Sequence, residues 1–266
     1  MAVGGRWGAM SVSDSGASSI LLDGGGAQRQ SWRRLPDRLF KTFLTFDVLF
    51  VVLYALAVAL RFTHSRYFAF VDLDAEANAP AWYSGTQLFM VAIGFYALWS
   101  RLIPQRRKVE ILRPLWILLG VAFTFLSMDE VASIHERLGS LLWHAKLFNH
   151  MGFGDQWMWL YVVIAVVLIL IYRKQLAIVW HEWPSETLLF VFGFAVIIFG
   201  GVIMEAVHLR LAHHIIGYWN NVEVAFEEGL EMLGATIVLV PVFRVLAYAV
   251  TGEPAAASPA VAEQQK

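Results

Sequence analysis

Six apolar stretches, each about as long as a helix needs to cross a bilayer, limit this chain more than anything else in it. They cover about 40–62, 84–103, 112–138, 156–173, 185–208 and 220–249. Roughly 20 apolar residues, rising ~1.5 Å each, cover the ~30 Å of hydrocarbon. Only 15% of the 266 residues are charged, well under the roughly 25% of a soluble domain. The runs therefore read as an all-α, polytopic membrane protein of six transmembrane helices, not as one dense soluble core. Residues 1–35, rich in Gly, Ser and Ala, read as a disordered N-terminal tail, residues 36–250 as the transmembrane domain, and residues 251–266 as a disordered C-terminal tail.

Lys and Arg set the expected orientation. Arg29, Arg33, Arg34, Arg38 and Lys41 form a basic collar before the first span. Arg101, Arg106, Arg107, Lys108 and Arg113 fill the loop between spans two and three, and Arg173 and Lys174 follow span four. With six spans these three regions share a side. That side, and both termini, are expected to be cytoplasmic, in a plasma or inner membrane. The opposite loops hold Asp72, Asp74, Glu76 and Asp155 with few basic residues. Trp82, Trp143, Trp157 and Trp219 on the outer side, and Trp99, Trp180 and Trp183 on the inner, suit aromatic belts.

Three apolar spans run into acidic groups near their outer ends: FTFLSMDEVASIHER from Phe123 to Arg137, IMEAVH from Ile203 to His208, and VEVAFEEGLEMLG from Val222 to Gly234. Ionisable groups at membrane depth are costly, so they are functional suspects by default. Helix rise serves as a ruler. From Arg113, Asp129 lies roughly 24 Å outward and His135 roughly 33 Å; from Glu186, Glu205 lies roughly 28 Å and His208 roughly 33 Å; from Arg244, Glu231 lies roughly 20 Å and Glu227 roughly 26 Å. Three helices thus bring carboxylates to one layer in the outer half. Residues three, four and seven apart share a helix face. On that basis Asp129 pairs with Glu136, Glu205 with His208, and Glu227 and Glu228 with Glu231.

So many carboxylates in one layer raise one another's pKa unless cations neutralise them. Arg137 and Arg210 can neutralise two, and a bound divalent metal more. Glu205-x-x-His208 has the Glu-x-x-His spacing of dinuclear carboxylate sites inside helix bundles. A full pattern has two such motifs; here His135 has to supply the second imidazole from the Asp129/Glu130 to His135/Glu136 stretch. The expected ligands are Asp129, His135, Glu136, Glu205, His208, Glu227 and Glu231, with Glu130 or Glu228 handling protons behind them. Oxygen-rich ligation with a few imidazoles suits divalent iron, with zinc or manganese as variants.

The expected function is a metal-dependent membrane enzyme, its site open to the outer, periplasmic side. Redox chemistry at iron, or a metal-activated water, would act on a lipid, quinone or other apolar small molecule. A cation or proton transporter is the alternative from another class. Asp47 is the one acid in the inner half of a span, and pairing with the collar is its expected role, which speaks against a transport route. A structural or assembly subunit, bound to a partner membrane protein, is the third reading. A polar rim of solvated acids is the plain alternative to a site, with Glu130, Glu223 and Glu228 facing headgroups or water. A net charge of −1 gives no argument for nucleic acid, and the absence of cysteine excludes disulfides and thiolate chemistry. His144, His150, His213 and His214 read as solvated loop residues. Asp72-x-Asp74-x-Glu76-x-Asn78 lacks the Gly and closing Glu of a calcium loop. The clustered histidine boxes of membrane desaturases and hydroxylases are absent.

Overall fold

The computed structural model describes residues 15–75, 78–100, 111–147, 156–204 and 218–252. Among these residues the chain is helical throughout, with no strand. The seven α-helices are α1 (Ser15–Ala59), α2 (Ala79–Trp99), α3 (Arg113–Ala132), α4 (Ile134–His144), α5 (Gln156–Glu182), α6 (Pro184–Ile198) and α7 (Tyr218–Thr251). Two short 3-10 turns follow α1, and a π-helical turn, Phe199–Met204, continues α6. Among the described residues, five stretches are long and apolar enough to cross a membrane: Gly26–Ala59, Arg113–Ala132, Gln156–Glu182, Pro184–Met204 and Asn220–Thr251. α2 is diluted by the polar run Tyr83 to Gln87, whose side chains turn inward: Tyr83, Ser84 and Gln87 are buried.

α7 is the centre of the bundle. It packs against α1, α2, α6 and the π turn, while α3 packs against α2. One core joins Leu88 to Leu98 of α2, Leu112, Trp116 and Phe123 beside and within α3, and Ala235 to Ala249 of α7. Trp32, Leu35, Leu39 and Phe43 of α1 and Phe190, Phe194 and Ile197 of α6 close over it. A smaller cluster of Tyr54, Leu73, Tyr83, Val224 and Met232 joins α1, α2 and α7. α5 is peripheral: Val162 to Val167 and Ile169 to Ile171 are exposed round the whole helix. α6 and α7 run antiparallel at very close range. A Cβ at Gly234 would meet Ile197 N at 2.7 Å and Gly193 O at 2.8 Å, so only glycine lets the two backbones come so near.

Several local expectations change. The tail expected over 1–35 is helical from Ser15 onward, and its Trp32 and Leu35 sit on the core; Pro36 lies inside this helix. α2 starts at Ala79, not near 84, because Asn78 caps it: the Ala81 N–H donates to Asn78 Oδ1 at 3.1 Å. α5 runs nine residues past the expected end at 173, to Glu182. α6 opens with Pro184 as its first residue and Trp183 before it, and the Ser185 hydroxyl donates to Glu186. Asn221 lies inside α7 and accepts from the Tyr54 hydroxyl at 3.2 Å. The continuous span expected over 112–138 is two helices, divided at Ser133, whose φ of 48° and ψ of 46° leave the right-handed region.

Candidate functional site

The division at Ser133 is built by Asp129. One of its oxygens, Oδ1, accepts the His135 backbone N–H at 2.7 Å and lies 3.2 Å from His135 Nδ1. Asp129 therefore ends α3 and caps α4 with one side chain. Its other oxygen, Oδ2, accepts the Tyr161 hydroxyl of α5 at 3.0 Å. The carboxyl group is buried. An ionised Asp129 can only accept, which puts the shared hydrogen on His135 Nδ1 and leaves Nε2 as the other ring nitrogen. Trp157 lies with its ring centroid 4.9 Å from that of His135 and 5.2 Å from that of Tyr161. These contacts fix the ring in place.

The break separates residues that an unbroken helix would have put on one face. Asp129 and Glu136 no longer share a surface: Asp129 is buried, whereas Glu136 and Arg137 are exposed on α4. The expected distance of His135 along a single axis falls with the same break. Glu130 is half-buried at the end of α3. His144, expected in a loop, is in the last turn of α4, with Nδ1 2.7 Å from Ser140 O.

The π turn brings the other acidic helix close. A Cβ at Gly201 would lie 2.6 Å from Glu231 Oε1, and one at Gly200 would lie 2.8 Å from Glu227 O. The Glu231 carboxylate thus rests against the backbone of the turn. Val202, one residue on, packs on Trp157 and Met158, and Trp157 touches His135. The turn therefore stands between the His135–Asp129 pair and Glu231, and it ends at Met204, directly before Glu205. Glu205, His208 and Arg210 lie outside the described residues, as do His150, His213 and His214. Among the described residues, no three His, Asp or Glu side chains are grouped closely enough to hold a metal ion. Glu227, Glu228 and Glu231 are half-buried on α7, and Glu223, expected at headgroups or water, is buried. Trp157, expected in an aromatic belt, is buried against the site as well.

A second polar centre lies deeper in the bundle. Asp47, expected to pair with the basic collar, instead takes all its partners from other helices: Tyr83 and Gln87 of α2 and Thr236 of α7. All three are neutral. Gln87 Nε2 also reaches Thr236 Oγ1 at 2.7 Å and Met232 O at 3.2 Å, and Gln87 Oε1 is buried without a hydrogen-bond partner. Sequence reasoning missed Tyr161, Trp157, Tyr83, Gln87 and Thr236. A glutamine inside an apolar run was the available signal, since a buried amide requires partners. In the loop before α2, burial pushes the Asp72 carboxyl above the usual carboxylate range, opposed by the Asp74 backbone N–H that donates to it. Asp72 O accepts from the Asn78 side chain at 2.6 Å, so this acidic loop serves to fix the cap of α2.

No curated protein and no solved structure matches the chain. One family model does: a domain of unknown function, DUF8692, over residues 42–246. That match takes in α2 to α6 whole, with most of α1's apolar part and of α7, and the chain belongs to this family.

Proposed function

We propose that the protein is a six-span membrane protein with cytoplasmic termini whose outer half carries a metal centre, and that it acts as a metal-dependent enzyme on a lipid or other apolar substrate. The observation that carries this reading is the position of the π turn, between Glu231 and the Trp157 that holds His135. It supports the convergence of three acidic stretches at one level, since Glu205 follows the turn directly. π turns inside α-helices are frequent at functional sites. α2 supplies the sixth span, because its 21 residues suffice in length and its polar side chains are buried in the bundle instead of facing lipid.

In this reading His135 binds through Nε2, with Asp129 behind it fixing the tautomer, as carboxylates do behind metal-bound imidazoles. Glu231, Glu205 and His208 complete the set, and Glu227 and Glu136 are the remaining candidates. Glu130 and Glu228, both half-buried, are the proton-handling residues of this reading. Divalent iron, with zinc or manganese as variants, fits such oxygen-rich ligation. A bound metal would supply Lewis-acid or redox chemistry to an apolar substrate held by these residues.

The test is metal content per purified chain, together with melting temperature. Glu231→Gln and His208→Ala are each expected to lose most of the metal and to melt lower, because the carboxylates left behind repel one another. Asp74→Asn, at an exposed loop acid, is expected to change neither. Full metal content in both site variants, or none in the native chain, would leave a polar rim in place of a site.

A further inference from the structure

The buried centre at Asp47 is organised by one face of α2. Tyr83 and Gln87 are four residues apart and share that face, while Gly85 between them turns the other way, towards Ser127 and Val131 of α3. Asp47 is 4% exposed. Its oxygens meet Tyr83 Oη at 2.6 Å, Gln87 Nε2 at 2.8 Å and Thr236 Oγ1 at 2.7 Å. No cation is among these partners. Tyr83 is the titratable group that α2 turns towards Asp47. α7 turns the neutral Thr236, and α1 itself carries Asp47.

Counting hydrogens decides what such a site holds. Tyr83 Oη makes two short oxygen–oxygen contacts, 2.6 Å to Asp47 Oδ1 and 2.7 Å to the backbone oxygen of Phe43. A phenol has one hydrogen, so either that hydrogen is shared between the two acceptors and Asp47 stays a buried ion, or a second hydrogen lies on Asp47. The Phe43 oxygen has none to give. If Tyr83 donates to Phe43, the second hydrogen has to come from Asp47. A metal ion is the other way to neutralise a buried carboxylate. Hard cations, however, hold oxygens at roughly 2.0–2.6 Å with the ion between them, and here the side chains touch each other directly.

We infer that Asp47 is a proton-binding site: the folded protein holds it as a carboxylic acid whose O–H donates to Tyr83 Oη, while the Tyr83 O–H donates to Phe43 O. The step is the transfer of one proton from hydronium in the bulk water to Asp47 Oδ1, which leaves a water molecule behind and no net charge on Asp47. The Tyr83 hydroxyl keeps its hydrogen and points it at Phe43 O, and Thr236 continues to donate to Oδ2. A buried ion without a counterion becomes a neutral hydrogen-bonded acid, which removes the main cost of placing it there. None of the side chains bonded to Asp47 is among the proposed metal ligands, and the occupant of this site is the proton alone.

Infrared spectra of the full chain in lipid vesicles test it, read in water and in deuterium oxide. The unmodified protein should show the carbonyl band of a protonated carboxylic acid at neutral pH. That band should move when aspartate is labelled with carbon-13, which needs no variant and so does not depend on one that folds. Asp47→Asn should abolish the band, and Asp129→Asn should leave it. Tyr83→Phe removes the acceptor and should displace the band without removing it. The inference is overturned if the native chain has no such band, if the label does not move it, if it survives Asp47→Asn, or if Tyr83→Phe leaves its position unchanged. Metal content plays no part in these readings, so failure here and failure of the metal centre are told apart.

Discussion

Single residues at the π turn separate position from stability. At Gly201 an added methyl group would meet the end of the flexible Glu231 side chain, with Oε1 at 2.6 Å. That carboxylate can swing away, so Gly201→Ala is expected to fold with nearly unchanged stability while displacing Glu231 and lowering metal content. At Gly234 the same methyl group would meet backbone atoms of α6 that cannot move without parting the helices. Gly234→Ala is expected to cost about 1–3 kcal/mol, as overpacking does. Thermal melts of the two variants beside metal analysis check the pair. Equal destabilisation would mean that Glu231 is not the group facing the turn. Ser133 offers a test of opposite sign. Inside a continuous helix, Ser133→Gly would be destabilising. At φ 48° glycine is at ease, so Ser133→Gly is expected to hold or raise the melting temperature, whereas Ser133→Val should cost about 1–2 kcal/mol, the strain of a left-handed residue. A melt of each variant decides between one helix and two.

At the scale of elements, what was legible in the sequence followed from apolar length. The all-helical class and the long apolar helices were readable because such runs match the thickness of a bilayer; six were expected, and among the described residues five are long and apolar enough to span one. The start of α1, the end of α5 and the break at Ser133 were not readable, for three different physical reasons. The helix from Ser15 is held where Trp32 and Leu35 meet a core made by α2, α3 and α7, and no local pattern shows that contact. α5 extends through Arg173 and Lys174 because charges tolerated at a helix end do not stop it. The break comes from an aspartate side chain that caps the next helix, and no Gly or Pro announces it. The candidate site shows the same division. Asp129, His135, Glu227 and Glu231 stood out as ionisable residues in apolar runs. Tyr161 and Trp157, which orient the imidazole, looked like ordinary membrane-helix aromatics.

Across the whole molecule, two helices with similar hydropathy have opposite places. The most apolar part of α5 has none of its residues buried, whereas most of that of α7 is buried. A bundle in water could not leave α5 so bare, since contiguous apolar surfaces of that size are rare on soluble monomers. In the proposed reading lipid covers it. Six spans with both ends inside then place the loop after α1, with its exposed Asp74, outside, and the start of α6 inside. Cysteine is absent from the natural chain, so single cysteines report cleanly. One placed at Asp74 should react with a membrane-impermeant thiol reagent on intact cells. One placed at Lys174, exposed on α5, should react only after the cells are broken. The reverse pattern would turn the molecule over and put the π turn and His135 in the inner half. Labelling of both sites from outside would remove an odd number of spans between them, and α2, the helix with the most polar start, would be the first to lose its place as a span.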